Sequence, residues 1–456
     1  IRTDKYHRLN KLGGSKRYRK ERFEAPEEVA TMTPEALKLK AAMAFDPERV
    51  RFFIEQGYWR NDTISGWLAG HADERGDHVA IVADDATLTY GDLWTRVRQT
   101  AAGLANLGIG KGDVVSIQMP NIPEYLICYF AICSLGAVMS TIYMPHRARE
   151  TEALLRHSSA RAVICPAEIG DYTAAAACVK LQKDLPNLKS VIVFGGEERG
   201  CIPLGQVMSG DVKSLPDNQP VGADPFLLLY TSGTTASPKG VPLSYQNMLS
   251  NARLGAPEHQ LTDQDRILSA APFGHLFGLY SVHLALATGA TMVLLPVFTP
   301  PELVRVIDTF KATALFTAPA HIAACFQTGV FESADLSSLK LAILSGSAVP
   351  PDLAKTFAAK MPGGKVTQLW GMTETQAGLY SRPSDPDTVI HSTAGKPSPG
   401  TETRLMKDDG TPAQPGEEGE LQVRGCLLFP GYFDNPDANK AAFTADGWFR
   451  SGDLAQ

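Results

Sequence analysis

The segment from Tyr230 to Val241 combines side chains whose types and spacing suit polyphosphate binding. Hydroxyl residues, glycines and a single lysine fill it: Thr231, Ser232, Gly233, Thr234, Thr235, Lys239 and Gly240. Hydroxyl and backbone N–H groups can donate to phosphate oxygens, while a lysine ammonium supplies a positive charge. The segment is not a Walker loop, because Pro238 stands where that pattern requires glycine. Composition alone does not distinguish this segment from an ordinary polar turn after a strand.

Residues 231–240 resemble the phosphate-binding signature of the adenylate-forming superfamily. That superfamily includes acyl- and aryl-CoA ligases, peptide-synthetase adenylation domains and beetle luciferases. The chain departs from the signature at Ala236, where glycine is usual. The resemblance implies that the following residues hold the phosphates of ATP: Thr231, Ser232, Gly233, Thr234, Thr235 and Lys239. It also implies a catalytic role for Lys239.

A second motif, residues 369–375, resembles the aromatic-Gly-x-Thr-Glu element of the same superfamily. The resemblance implies that Trp370 covers one face of adenine, beside Gly371 and Met372. It also implies that Thr373 bonds the α-phosphate and that Glu374 binds Mg²⁺, a hard cation that prefers oxygen ligands. A core tryptophan beside a helix cap is the structural alternative for this motif.

Two further motifs complete the expected nucleotide site. Residues 345–350 resemble the adenine loop of the superfamily, which implies backbone contacts to the base from Gly346, Ser347 and Ala348. Residues 448–454 resemble the aromatic-x-x-Ser/Thr-Gly-Asp motif, which implies that Asp453 accepts hydrogen bonds from both ribose hydroxyls. Taken alone, the first motif is a strand-to-helix turn and the second contains an exposed turn aspartate.

The segment 272–278 resembles the superfamily motif near the acid pocket, which implies that His275 lies between the carboxylate and thiol channels. A structural histidine is the alternative. Gly274 and the apolar side chains of Leu276, Phe277 and Leu279 indicate an apolar acid. No carboxylate lies between residues 266 and 300, which disfavours an amino-acid substrate because its ammonium group would lack a partner.

The reaction implied by the resemblance has two steps. A carboxylic acid attacks the α-phosphorus of ATP to give an acyl adenylate and pyrophosphate, and the thiol of CoA then displaces AMP. ATP, Mg²⁺ and CoA are therefore the expected cofactors, and Lys239, Thr373, Glu374 and His275 the expected catalytic residues. Positioning and charge neutralisation carry the first step. The acid is expected to be a medium-chain, alicyclic or aryl acid, since residues 56–60 resemble the start of ligases for all three.

Other functions stay open. An aryl-acid or amino-acid adenylation domain would serve a carrier protein instead of CoA, a binding module would lack turnover, and a luciferase would use oxygen. A net charge of −6 disfavours a nucleic-acid partner. The seven cysteines contain no C-x-x-C pair, so we expect a reduced, cytoplasmic enzyme without disulfides or zinc. A homodimer is compatible with the resemblance.

The pattern of apolar runs alternating with amphipathic segments predicts an α/β fold with parallel sheets. Strands are expected at residues 79–82, 114–117, 162–165, 191–194, 225–229, 266–270, 291–295, 314–316 and 341–344. The apolar stretch 125–144 is interpreted as a buried helix followed by a strand, not as an integral membrane segment, because Gly136 interrupts it. Short strands at residues 402–405, 419–424 and 447–450 predict a small antiparallel sheet.

The resemblance implies the large N-terminal body of adenylate-forming enzymes, with two layered αβ subdomains and a small β subdomain. The expected divisions are residues 1–58, a basic extension with helices, residues 59–390, the AMP-binding core, and residues 391–456, the β subdomain. Members of the superfamily continue into a C-terminal lid, which we expect to be absent from this chain. On that expectation the chain binds ATP and acid but adenylates poorly and does not complete thioester formation efficiently.

Overall fold

Two large sheets, their flanking helices and one small antiparallel sheet organise the chain in the computed structural model. The structure describes residues 32–217, 219–231 and 238–456. The α/β class is confirmed, and every predicted strand occurs. The expectations for the basic extension up to residue 31 and for Ser232, Gly233, Thr234, Thr235 and Ala236 lie outside the described residues.

The strands are numbered here in chain order. They are β1 (Val79–Ala83), β2 (Ala86–Thr89), β3 (Val114–Ile117), β4 (Val138–Thr141), β5 (Ala162–Pro166), β6 (Ser190–Phe194), β7 (Ile202–Pro203), β8 (Pro225–Thr231), β9 (Lys239–Ser244) and β10 (Arg266–Ser269). They continue with β11 (Thr291–Val293), β12 (Ala314–Thr317), β13 (Leu341–Leu344), β14 (Lys365–Met372), β15 (Gln376–Tyr380), β16 (Lys396–Pro397), β17 (Thr401–Met406), β18 (Gly419–Gly425) and β19 (Phe449–Ala455).

The described α-helices are numbered in the same way. They are α1 (Pro34–Ala41), α2 (Pro47–Glu55), α3 (Ile64–Arg75), α4 (Tyr90–Asn106), α5 (Pro123–Ser134), α6 (Ala148–His157), α7 (Ala174–Leu181) and α8 (Leu204–Val207). They continue with α9 (Tyr245–Glu258), α10 (Leu276–Thr288), α11 (Pro300–Phe310), α12 (Pro319–Gln327), α13 (Pro351–Ala358), α14 (Asp387–Ile390) and α15 (Pro436–Ala442).

The first large sheet has the strand order β16-β15-β14-β13-β12-β10-β11-β1-β2, and the second has the order β7-β6-β5-β3-β4-β8-β9. Strands β10 to β14 pair in parallel, as do β3 to β8 in the second sheet. Parallel strands present their carboxyl ends at one edge of a sheet, where ligands bind in open α/β sheets. The loops after β10, β12 and β13 therefore lie side by side.

The third sheet, β17-β18-β19, is antiparallel as predicted. Its last strand begins at Phe449 and runs to Ala455, so the predicted strand at residues 447–450 started too early and ended too soon. Gly447 has a φ of 79°, a left-handed conformation that forms a turn before the strand. The pairing with β18 then continues through the motif that contains Asp453.

The predicted buried helix–strand pair is confirmed. Helix α5 is buried on nearly all sides and ends at Ser134, and Gly136, with a φ of 68°, turns the chain into β4. None of the described helices combines the length and the apolar character that crossing a bilayer requires. The division at residues 58/59 and 390/391 stays a prediction, and residues 33–456 form one compact unit by their contacts.

The largest apolar cluster lies between the two large sheets and includes helices α5 and α10. In this layer the Tyr129 hydroxyl and the His283 Nε2 atom lie 2.6 Å apart. Helix α4 packs nearby, and its Gly103 lies against the end of α8, where an added Cβ would come within 1.9 Å of the Val207 carbonyl oxygen. The close approach of α4 and α8 therefore requires glycine.

We predict that Gly103→Ala lowers the free energy of unfolding by about 1–3 kcal/mol, because the α4–α8 contact must open. The matched control is Gly70→Ala in α3, where an added Cβ meets no atom within 4 Å. The control should instead raise stability by about 0.5–1 kcal/mol through reduced unfolded-state entropy. Urea unfolding of both variants checks this, and equal stabilities would contradict the close contact.

Candidate active site

A cavity of about 920 Å³ opens where the two large sheets meet the small sheet. Its lining contains residues of β8, β9, β14, β18 and β19 and of the loops after β10, β12 and β13. The cavity thus collects segments that are distant in the sequence. Most of the predicted motifs contribute residues to it, as described motif by motif below.

The two ends of the predicted phosphate segment line the cavity. Thr231 ends β8 and Lys239 begins β9, and the two residues pair across the antiparallel ladder. The Nζ atom of Lys239 lies 5.3 Å from the centre of the Tyr432 ring, within the range of a cation–π contact. The lysine charge is therefore held at the cavity beside the residues that the second motif supplies.

Glu374 is the carboxylate at the centre of the polar side of the cavity. It is only 3% exposed, and its Oε1 atom accepts a hydrogen bond from the Tyr432 hydroxyl at 2.7 Å. Its Oε2 atom is buried and has no hydrogen-bond partner among the described residues. Burial raises the pKa of Glu374, while the Tyr432 hydrogen bond and the charge of Lys239 oppose that rise. One carboxylate oxygen is thus held in place, and the other is free to bind a cation.

Mg²⁺, which the resemblance implies, fits this arrangement. Magnesium in nucleotide sites is usually held by one or two carboxylates together with phosphates and water. The unpartnered Oε2 atom of Glu374 supplies such a ligand. Within the ranges that the structure describes, no group of three or more His, Cys, Asp or Glu could hold a metal ion. If Mg²⁺ binds at Glu374, phosphates of the nucleotide and water would complete its coordination.

Residues 427–433, here called the bridging segment, connect the two sides of the polar cavity wall. The Phe429 N–H donates to the Glu374 carbonyl at 2.9 Å, and the Phe433 N–H donates to the Gly240 carbonyl at 2.8 Å. The first contact reaches the turn after β14 and the second reaches β9. The segment therefore sets the distance between the predicted metal carboxylate and the predicted phosphate lysine.

The second motif forms a tight β14–β15 hairpin and not a helix cap. Met372 and Thr373 line the cavity, and Gly371 has no room for a side chain, because an added Cβ would lie 2.0 Å from the Gln376 carbonyl oxygen. Gln376 has a φ of 57°, and its Nε2 donates to the Leu427 carbonyl at 2.7 Å. The hairpin is thus anchored to the bridging segment at Glu374 and, two residues later, at Gln376.

Trp370 and Asp453 are joined directly. The Trp370 indole N–H donates to the Asp453 Oδ2 atom at 2.7 Å, although the residues are 83 positions apart. Asp453 is exposed, and neither residue belongs to the cavity lining, which includes its neighbours Ser451 and Gly452. The predicted adenine-covering ring and the predicted ribose carboxylate therefore meet at the rim of the cavity.

The predicted adenine loop follows β13. Gly346 has a φ of 93°, a conformation that favours glycine, and it lines the cavity together with Ser345. Ser347 and Ala348 are exposed and are not part of the lining. The structure therefore brings the start of this loop to the cavity and leaves its following residues at the surface.

His275 caps the N-terminus of α10, where its Nδ1 atom accepts from the Phe277 N–H at 3.2 Å. The ring lines the cavity and is exposed there, while the protein atoms that surround it on its other sides lower its pKa. Tyr143 lies beside it with the ring centres 6.5 Å apart. A neutral imidazole therefore stands at this position at pH 7.

The apolar side of the cavity differs in part from the sequence expectation. It is lined by Ala271, Pro272, Phe277 and Ala318. Phe277 is thus at the cavity as expected, whereas Leu276 and Leu279 do not line it, since both side chains pack into the core. An added Cβ at Gly274 would lie 3.1 Å from the Tyr143 ring, so that ring already occupies the space beside this glycine.

Sequence reasoning missed Asn121, which positions the apolar wall. Its Nδ2 donates to the Ala271 carbonyl at 3.0 Å and its Oδ1 accepts from the Phe273 N–H at 2.7 Å. The Tyr125 hydroxyl adds a hydrogen bond to the Phe273 carbonyl at 2.8 Å. Tyr432 was missed as well. Asn121 and Tyr432 lie far in sequence from the groups that they hold. The signal that the sequence offers for each is an isolated polar residue after an apolar run.

Comparison with known proteins identifies the family of the chain. Residues 68–433 match the AMP-binding enzyme family. The 2,3-dihydroxybenzoate-AMP ligase of Bacillus subtilis is 30% identical over 421 residues, which cover 92% of this chain and 77% of the ligase. The feruloyl-CoA synthase of an Amycolatopsis species is 32% identical over 398 residues, which cover 87% of this chain and 76% of the synthase.

A solved structure shares the fold. The apo structure of MbtA from Mycobacterium smegmatis superimposes with a TM-score of 0.83 at 32% identity, covering 91% of this chain and 77% of that one. The family pattern spans both large sheets, and it includes the segments that contribute Lys239, Glu374 and Tyr432 to the cavity. The chain belongs to the AMP-binding enzyme family and is an adenylate-forming acid ligase.

Proposed function

We propose that this ligase activates an apolar carboxylic acid with ATP to an acyl adenylate and then transfers the acyl group to the thiol of CoA. The observation that carries the proposal is a cavity with two unlike sides. Lys239, Thr373 and Glu374 line a polar side, while Phe277 and Ala318 belong to an apolar one. An acid bound on the apolar side can direct its carboxylate toward a phosphate bound on the polar side.

The polar side would hold the triphosphate. Thr231 and Lys239 would bind the leaving pyrophosphate together with Ser232, Gly233, Thr234 and Thr235, and Thr373 would bond the α-phosphate. Glu374 would hold Mg²⁺, which neutralises phosphate charge when it is bound. Fixed donors and charges stabilise the transition state of phosphoryl attack because they need no reorganisation.

The rim would hold the nucleoside. Gly346, Ser347 and Ala348 would contact adenine through their backbone, beside Trp370, Gly371 and Met372. Asp453 would accept hydrogen bonds from the ribose hydroxyls, and its hydrogen bond to Trp370 supports this role, because it keeps the carboxylate at the cavity rim.

The apolar side would hold the acid. Burial leaves His275 neutral, so it can stand beside both the carboxylate and the incoming thiol without adding a charge. Among the cavity residues that the structure describes, the acidic side chains are Glu374 and Glu420, and neither follows β10, β12 or β13. A substrate ammonium group on that side would therefore be unpaired, which favours acids without an amino group.

We predict that the chain binds hydrolysis-resistant acyl-sulfamoyl adenosines with benzoyl, cyclohexanecarbonyl or octanoyl groups, as measured by calorimetry. The affinity for the phenylalanyl analogue should be lower by a factor of about 100 or more, because its ammonium would be buried without a partner. Tighter binding of the phenylalanyl analogue would contradict the apolar-acid proposal.

The acceptor is tested in a second measurement on the same chain. With ATP, Mg²⁺, CoA and the best-bound acid, in an incubation long enough to reveal slow turnover, mass spectrometry should detect the CoA thioester. Thioester that forms only on a phosphopantetheinylated carrier protein would reject CoA and favour the adenylation-domain alternative.

We predict opposite effects of Glu374→Gln on activity and stability. Acid-dependent pyrophosphate exchange should fall about 100-fold or more, since the amide is a poor Mg²⁺ ligand. The folded-state pKa of Glu374 is raised above the ordinary value of 4.5, so ionisation of this residue lowers stability as the pH rises through and above that value. The variant should therefore unfold at the same temperature as the wild type at pH 4 and at a higher one at pH 7.

Tyr432→Phe is the matched control for that prediction. It removes the hydrogen bond to the Glu374 Oε1 atom and keeps the ring beside Lys239. We expect it to lower stability at pH 7, because the carboxylate then loses its described donor. A lower unfolding temperature of Glu374→Gln at pH 7 would contradict the buried, partly unpaired carboxylate.

A further inference from the structure

His321 lines the cavity on the same side as His275, Phe277 and Ala318, and none of the motifs includes it. It lies in the first turn of α12, three residues after Ala318. Its ring stacks on Phe298, with the ring centres 4.0 Å apart and 25° between the planes. This stacking fixes the orientation of the imidazole.

The tautomer of His321 follows from its neighbours. The Ala318 N–H donates to the Nδ1 atom at 3.4 Å, and the Thr317 hydroxyl lies 3.3 Å from the same atom. Nδ1 is therefore an acceptor, and burial lowers the pKa of His321, so the ring is neutral. A neutral imidazole with Nδ1 accepting carries its proton on Nε2. None of the residues within the described ranges forms a hydrogen bond to Nε2.

Helix α12, which contains His321, follows β12, and this places His321 on the side of the cavity that is proposed to hold the acid. Strand β12 lies between β10 and β13, and the loops after these three strands contribute Ala271, Ala318 and Gly346 to the cavity lining. Phe277 lines the cavity from α10, which also follows β10. The Nε2–H group of His321 is thus a fixed donor next to apolar side chains. Sites with a fixed donor discriminate strongly between ligands that can and cannot accept from it, because an apolar ligand leaves the donor unpaired.

We propose that His321 determines substrate specificity by donating its Nε2–H to an oxygen on the body of the acid, away from the carboxylate. Among acids with a largely apolar body, the preferred substrates are then those that carry a hydroxyl, alkoxy or keto oxygen on that body. This inference rests on the proposed function, since it assigns the substrate class of the same cavity.

The test measures the binding of matched acyl-sulfamoyl adenosines to the chain by calorimetry. The probes are the benzoyl analogue and its ortho, meta and para hydroxybenzoyl counterparts. We expect at least one hydroxybenzoyl analogue to bind about tenfold more tightly than the benzoyl analogue, which is the usual magnitude of one hydrogen bond.

Two variants separate the donor from the stacking. His321→Phe keeps a ring against Phe298 and removes the donor, so the preference for the hydroxyl should disappear while benzoyl binding is retained. His321→Gln can place an amide N–H near the Nε2 position and should keep part of the preference. Thermal unfolding of both variants shows that they are folded.

The inference is overturned if the benzoyl analogue binds and no hydroxyl improves the affinity, or if His321→Phe keeps the preference. Those results leave the proposed function standing. If none of the acyl analogues binds to the wild type, the proposed function and this inference fail together.

Discussion

The hydrogen bond from Tyr432 to the buried carboxylate of Glu374 is the contact on which the arrangement of the site depends. Glu374 belongs to the hairpin after the first large sheet, while Tyr432 belongs to the bridging segment, which also pairs with β9 of the second sheet. Neither sheet alone can place a carboxylate opposite Lys239. The bridging segment contacts both sides and so links the carboxylate to the strand that carries the lysine.

The charge distribution of the cavity follows from the same arrangement. Lys239 and Glu374 lie on the polar side, which we propose to hold the triphosphate and its metal ion. Burial keeps His275 and His321 neutral on the other side, so that side presents polarity without net charge. A substrate carboxylate on the side of the two histidines therefore meets no fixed negative charge. This separation of a charged side from an uncharged side supports attack on phosphorus by an acid that carries no charge apart from its carboxylate.

Backbone constraints hold the motifs in place at least as strongly as side chains do. Gly371 is enclosed by its own hairpin, and Asn121 satisfies the backbone of the segment before α10. A buried backbone group without a partner costs about 1–3 kcal/mol. The segment before α10, which lines the cavity, therefore has backbone hydrogen bonds that are completed by a residue outside the motifs.

Much of the fold could be predicted, since short continuous apolar runs such as those of β5 and β13 are typical of parallel strands that are covered on both faces. The run at residues 125–144 also contained its own interruption at Gly136. The bounds of the last antiparallel strand were predicted less accurately, because the pattern of a short strand does not distinguish the turn glycine that precedes it from its first residue.

The motifs around Lys239, Glu374 and Asp453 were recognisable in the sequence, because the phosphate, metal and ribose contacts predicted for them require particular residue types at close spacing. The sequence by itself thus determined the α/β class, the family and the chemistry of activation. Only the tertiary structure decided that Tyr432 holds Glu374, that Asp453 meets Trp370, that Leu276 and Leu279 belong to the core, and that His321 lines the acid side. The physical reason is that these relations depend on distances between remote segments, and packing between sheets, not local propensity, sets such distances.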